Sequence, residues 1–359
     1  MFHKALWMRT YKQGKYTILL FWLSSLYMLP YQYYHSAQLQ LHLSKIKDPD
    51  YTYYYQYLFN LEGTILGQSV LLLLLACILI SWERHTQSID LLWAMPFKRK
   101  DMFLTKWLFG VVNIISVQTV CWVSMYSIYK GSFHHAYQVF TPFHFYFGYA
   151  TIFLISLYTF VLFIGTIAGN IISQSLVSGI CLFLPFGLPV LISGFIYVHS
   201  EDSVKTNVCF ECKYEDTFLY ASPFNPITKF HIEFDYYPAY DHDKDGNIVS
   251  SNLNKEPNHS RIPSGWKLLS PLSFTLLFLS LGAYLYTRSP NEQNGKILLF
   301  PWLQKWFIGC TVLCFALLGG QIFGANILWS YYLTFFGAGM ISYIILTRLL
   351  KWRFSFGGR

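Results

Sequence analysis

Long apolar runs separated by short polar or charged stretches set the rhythm of this sequence. A helix rising about 1.5 Å per residue needs about 20 mostly apolar residues to cross a hydrocarbon core. Runs near that length lie at Tyr16–Tyr34, Thr64–Trp82, Lys106–Ile128, His144–Ile167, Leu176–Val198, Leu269–Thr287, Trp306–Phe323 and Ile327–Leu346. They predict an all-α polytopic membrane protein of about eight transmembrane helices. The first run follows Lys4, Arg9, Lys12 and Lys15 but ends in MLPYQYYH rather than in small residues. It therefore reads as a retained span and not as a cleaved signal peptide. The implied organisation is spans one to five over residues 1–198, with a cytoplasmic loop at 83–105. A polar segment covers 199–268, and spans six to eight cover 269–359.

Composition agrees with lipid as the main solvent. The chain is 54% hydrophobic, 20% aromatic and only 12% charged, against about 25% charged in ordinary soluble domains. Tyr and Trp gather where the runs end, at Tyr31, Tyr33, Tyr34, Tyr53, Tyr54, Tyr55, Tyr57, Trp82, Trp93, Trp302, Trp306, Tyr331 and Tyr332. Such rings favour the headgroup level, so they read as an anchoring belt with no ligand role.

The net charge of +8 raises the question of nucleic acid, but the basic residues flank span ends and form no continuous basic face. With the N-terminus placed inside, sixteen Lys and Arg fall in inside segments and only Lys45, Lys47 and Lys130 in short outside loops. The positive-inside rule then predicts both termini cytoplasmic and the 199–268 segment extracellular. The expected location is the cell membrane.

The runs carry no Asp, Glu, Lys or Arg near a centre; Glu62 and Lys106 stand at edges. Ion-coupled carriers ordinarily place such groups at mid-membrane. Asn113, Gln118 and Gln321 are the intramembrane polar residues, expected to make helix–helix hydrogen bonds. Phosphate-cradling P-loop, nucleophile-elbow and His-Glu-x-x-His patterns are all missing from the sequence, so no catalytic residue, metal or cofactor is expected. Cys77, Cys121, Cys181, Cys310 and Cys314 lie within apolar runs and act there as small hydrophobes.

The segment Ser81–Gly110, SWERHTQSIDLLWAMPFKRKDMFLTKWLFG, carries the densest pattern of chemistry. Ile89, Leu92 and Trp93 fall at i, i+3 and i+4, predicting a short amphipathic helix. Pro96 ends it, the basic triplet Lys98-Arg99-Lys100 follows, and Asp101 is positioned to cap the next helix. Such a helix suits two roles: an anchor along the inner membrane face, or a ridge docking into a groove on a cytoplasmic partner. Glu83, then Asp90-Leu91-Leu92, Met95-Pro96-Phe97-Lys98-Arg99-Lys100-Asp101 and Lys106 resemble the segment between the second and third spans of ABC-2-type transporter permeases. Gly165-Thr166-Ile167-Ala168-Gly169-Asn170 and the Arg288…Glu292…Gly295-Lys296…Leu298 stretch are similar to that family as well. The resemblance implies a permease subunit that pairs with a second permease, as homo- or heterodimer, and is energised by a separate cytoplasmic ATPase. It places Glu83, Asp90, Leu91, Leu92, Pro96 and Arg99 at the ATPase contact. Six spans are usual in that family. The extra pair and the long outer segment are similar to the Bacillus acetoin-utilisation permease group.

The 199–268 segment holds eleven of the 18 acidic residues. Alternation in KFHIEFDYY at Lys229–Tyr237 predicts a strand, and Asp245-Gly246-Asn247 a hairpin turn, giving a small, mainly β subdomain between spans five and six. Cys209 and Cys212 face the oxidising side, where a disulfide, free thiols or a zinc site with His231 and His242 are the alternatives. Asp241, Asp243 and Asp245 copy the start of a calcium loop. Residue 252 is Asn where a bidentate acid belongs, which favours a plain hairpin. A membrane sensor or scaffold, binding a ligand through the acidic outer segment, is the alternative function. A lipid-modifying enzyme would need a carboxylate beside His134, His135 and His144, and none adjoins them.

Overall fold

The computed structural model describes residues 4–45, 55–85, 96–199, 227, 229–236, 238–242, 248–253, 260–290, 298–324 and 328–351. Asp90, Leu91, Leu92, Cys209, Cys212, Asp243 and Asp245 lie outside the described residues, as does the expected amphipathic helix around Ile89–Trp93.

The protein is an all-α polytopic membrane protein. Helix α1 spans Lys4–Leu26 and runs through a π-helical turn, Tyr27–Tyr31, into α2, Gln32–Leu43. Pro30 within that turn removes a backbone donor, and the wider turn accommodates its ring without breaking the helix. Strand β1 is Tyr55–Leu58, followed by α3 over Leu61–His85 and α4 over Arg99–Gly131. Helix α5 covers Thr141–Ile167 and α6 Ile171–His199. Three short strands follow, β2 at Glu233–Tyr236, β3 at Pro238–His242 and β4 at Ile248–Leu253. Helices α7 (Leu269–Arg288), α8 (Pro301–Gly324) and α9 (Leu328–Lys351) complete the described chain. Among the described residues, six helices are long and apolar enough to cross a membrane: Leu61–Arg84, Arg99–Gly131, Thr141–Ile167, Gly265–Arg288, Trp302–Phe323 and Leu328–Arg348.

Helix starts follow local chemistry. Asn60 caps α3, its Oδ1 accepting the Gly63 amide at 3.0 Å, and Asn170 caps α6 by accepting the Ser173 amide at 2.7 Å. Asp101 does not cap α4. That helix begins at Arg99, with Lys98 at the cap position, so Asp101 lies inside the first turn, where a negative charge complements the helix dipole.

Helices α1, α3, α4, α5 and α7 form the main body, and α6 joins it to the α8–α9 pair. Close approach of α8 and α9 depends on Gly319, where a Cβ would sit 2.3 Å from that of Ala338. The two strand pairs are antiparallel. Tyr55 pairs with Tyr236 and Leu58 with Glu233, so β1, from the loop after α2, partners β2 of the later polar segment. Strands β3 and β4 pair with Asp241 opposite Ser250, and the expected Asp245–Asn247 turn lies outside the described residues. The polar segment is thus stitched into the helical body rather than built only on itself.

Aromatic residues divide between two roles. Tyr31, Tyr34, Trp82, Trp302, Trp306 and Tyr332 are exposed on the helical surface, as a belt requires. Tyr33, Tyr55, Tyr57 and Tyr331, read from sequence as belt residues, are instead buried. Near the start of α5, Tyr33, Tyr57 and Phe143 pack around His134, and strand pairing draws Tyr55 in. Contact with protein replaces contact with headgroups.

Candidate functional site

The end of the molecule that holds the start of α1 also collects the end of α3, the start of α4, the α5–α6 turn and the end of α7. Glu83, Arg84 and Lys106 meet there, 3%, 2% and 3% exposed. Charges so enclosed lose their hydration and need partners. Lys106 Nζ donates to Glu83 Oε2 and to the Leu79 carbonyl at 2.6 Å. Arg9 Nη2 lies 3.8 Å from Glu83 Oε1. The Tyr158 hydroxyl donates to the Lys106 carbonyl at 2.8 Å. Its ring fits because residue 110 is Gly: a Cβ there would stand 2.2 Å from the ring.

Arg84 turns the other way. Nη1 donates to the Ala168 carbonyl at 2.5 Å, and Nη2 to Ser289 Oγ at 3.1 Å and to the Thr166 carbonyl at 3.5 Å. One guanidinium therefore ties the end of α3 to the α5–α6 turn and to the residue after α7. The planar fork of five donors suits acceptors arriving from separate elements, here two carbonyls of one turn and the Ser289 hydroxyl. Around it, the Leu299 amide donates to the Ile167 carbonyl at 2.8 Å, and Ala168 pairs with Leu298 in an antiparallel bridge. Ser81 Oγ donates to Gln174 Oε1 at 2.5 Å, and Gln174 Nε2 donates to the Val161 carbonyl at 2.9 Å. Gly165 makes room for that amide, since a Cβ there would lie 2.6 Å from Gln174 Nε2.

Described residues of the three stretches that carry the family resemblance therefore meet at one place: Glu83, Arg84 and Lys106, then Thr166 and Ala168, then Ser289 and Leu298. Of the implied partner-contact residues, Glu83 is enclosed against Lys106 and Arg9. Pro96 is exposed, and half-buried Arg99 donates from Nη1 to the Thr287 carbonyl at 3.2 Å. Sequence reasoning passed over Arg84, Gln174, Tyr158 and Ser289. The available signal was the dipeptide Glu83-Arg84 closing an apolar run, with a lysine just inside the next.

The intramembrane polar residues behave differently from one another. Gln118 makes the expected interhelical bond, Nε2 donating to Gln68 Oε1 at 3.1 Å, and Gln68 donates in turn to Ser25 Oγ at 3.1 Å. Asn113 instead donates to Phe109 of its own helix at 2.8 Å. Gln321 packs against Gly194. At the opposite end of the molecule, His134 Nε2 donates to the Tyr33 carbonyl at 3.1 Å, and Nδ1 of the neutral ring accepts from the Tyr55 hydroxyl at 2.5 Å. Gln138 accepts from Tyr33 OH at 2.8 Å and donates to Tyr55 OH at 2.5 Å. Burial pushes the His134 imidazole down to about 4 and the Tyr57 phenol up. An almost entirely apolar cavity of about 550 Å³ lies between α5, α6 and α8, with Cys181, Cys310, Thr311 and Cys314 on its wall. No cluster of three His, Cys, Asp or Glu able to hold a metal occurs among the described residues.

Compared with known families, curated proteins and solved structures, the chain matches none at a significant level.

Proposed function

We propose that the chain is the permease subunit of an ABC-type transporter, energised by a separate ATPase that docks on the 83–105 loop. The observation that carries this reading is the ionic frame beneath that loop. Glu83 and Lys106 close its two stems with a buried ion pair, and Arg84 links the same point to the α5–α6 turn and the end of α7. A load applied to the loop would reach three helix ends through rigid polar contacts rather than through a flexible hinge.

In this reading α1 and α6 bring the span count to eight and both termini lie on the cytoplasmic side. The ends gathered at the hub carry Lys98, Arg99, Lys100, Arg288 and Lys305, the bias expected of a cytoplasmic face. The β1–β2 and β3–β4 pairs then belong to the extracellular side of a cell-membrane protein. Asp90, Leu91, Leu92, Pro96 and Arg99 form the docking ridge, and Glu83 braces it from below. A second permease copy or a related subunit completes the transport path.

The test is co-purification with the soluble ATPase, using the unmodified chain, Leu92→Asp and Arg99→Glu. Both variants should retain less than about a tenth of the ATPase while folding normally, since a buried charge at a docking ridge costs several kcal/mol. Undiminished association in both removes the docking assignment.

A further inference from the structure

Between the second half of α4 and the first half of α5 lies a small cleft of about 240 Å³ with mixed polar and apolar walls, displaced along the helices away from the ionic hub. Gln118, Thr119 and Trp122 of α4 line it with His144, Phe147, Gly148 and Thr151 of α5. Polar groups on the outward surface of a membrane helix are costly unless something answers them.

Their hydrogen-bonding capacity is specific. Gln118 is 2% exposed, and its Nε2 is committed to Gln68, but Oε1 is buried with no partner. An acceptor left so is expensive. Thr119 and Thr151 spend their hydroxyl protons on the carbonyls of Ile115 and Phe147, each at 2.7 Å, leaving oxygen lone pairs free to accept. Trp122 Nε1 donates to His144 Nδ1 at 2.8 Å, so the neutral imidazole carries its proton on Nε2 as a donor. The cleft thus presents three acceptors and one donor, with no carboxylate to balance a cation and no Lys or Arg on its wall to hold a phosphate. Groups that both donate and accept without charge match it, and hydroxyls are of that kind.

We propose that this cleft binds the hydroxylated headgroup of a membrane lipid. The source follows from the surroundings: Val120, Val123 and Phe145, on the outward faces beside the cleft, are exposed and apolar, so an occupant arrives from the hydrocarbon side. One hydroxyl donates to Gln118 Oε1 and accepts from His144 Nε2, and a second donates to Thr151 Oγ1. Trp122 closes one side as an aromatic wall. The almost entirely apolar cavity near Cys310 has no comparable anchor.

The test titrates the purified full chain with dioleoyl phosphatidylglycerol and with dioleoyl phosphatidylmethanol, read by native mass spectrometry. The two lipids share charge and chains, but only the first carries headgroup hydroxyls. The unmodified chain should bind the glycerol lipid about tenfold more tightly, as one or two added hydrogen bonds allow. Gln118→Leu and Thr151→Val should each erase most of that preference, and Ser342→Ala on α9 should keep it. Thr151→Val leaves the Gln68–Gln118 bond intact, so the test stands if Gln118→Leu folds poorly. Equal affinity for the two lipids in the unmodified chain, or a preference untouched by Thr151→Val, overturns the proposal. Displacement of the lipid by free glycerol would identify a soluble polyol as the occupant and overturn the lipid assignment.

Discussion

The two ends of the molecule solve the same problem with opposite chemistry. Each buries polar groups where several chain segments converge. At one end, Glu83 pairs with Lys106 and lies near Arg9, and Arg84 donates to the Ala168 and Thr166 carbonyls and to Ser289 Oγ. At the other, Tyr33, Tyr55, His134 and Gln138 form a neutral network inside a shell of aromatic rings. Ionic contacts are strong but intolerant of a missing partner, whereas a neutral network is sensitive mainly to the protonation of its one weak base. The first end is built to hold position under load, and the second to fix a fold in one protonation state.

The largest expected effect comes from breaking the ionic end. Glu83→Ala leaves Lys106 buried without its counter-charge and should cost about 3 to 5 kcal/mol. Lys106→Met, which orphans Glu83, should cost a similar amount. The double variant Glu83→Leu/Lys106→Met should recover much of the loss, because neither charge is then stranded. Thermal unfolding in detergent measures all three. Strict additivity of the two single losses would show that the buried pair is not coupled, and the contrast between the two ends would dissolve.

This comparison also shows what was readable from residues alone. Apolar run length was enough for the membrane helices α3, α4, α5, α7, α8 and α9, because crossing lipid demands a long uninterrupted stretch whatever the neighbours do. Glu83 and Lys106 were visible as charges at run edges, but their pairing was not, since it joins two helices across a loop. Arg84 looked like one more flanking cation. Only the fold shows it turned inward, toward carbonyls from an α5–α6 turn far along the chain. The same limit explains Tyr33 and Tyr55: an aromatic at a span end reads as a belt residue until strand pairing between β1 and β2 encloses it. Asp101 failed as a cap for a smaller reason, a helix start three residues earlier than the sequence suggests.

A second prediction separates the ends by pH. His134 has its ordinary value of 6.5 in the unfolded chain and about 4 in the fold, so between those values the unfolded chain binds the extra proton. Stability is therefore full above about pH 6.5 and is lost as pH falls toward 4, by about 3 kcal/mol in all. Hydrogen exchange at β1 and β2 should accelerate over that window, while amides near Arg84 change little. His134→Phe should be less stable at neutral pH, having lost its bonds to Tyr55 and Tyr33, yet show a flatter pH dependence. An unchanged slope in that variant would locate the titrating group elsewhere.

The smallest stability effect is expected at the rim of the ionic end, and there stability and function should part company. Arg84 and Arg99 both donate to groups at the end of α7, Ser289 Oγ and the Thr287 carbonyl respectively. Arg84 is enclosed and binds three elements at once, whereas the Arg99 bond to Thr287 is exposed to solvent. Arg99→Gln, which keeps a donor but removes the charge, should shift stability by no more than about 1 kcal/mol, as solvated charges do. If the exposed rim is where a partner docks, the same change should weaken ATPase association several-fold without altering the melt. Arg84→Gln should do the reverse in order, lowering the melt first and losing association only as a consequence. A melt lowered equally by both changes would mean that the rim is part of the frame and not a surface displayed by it.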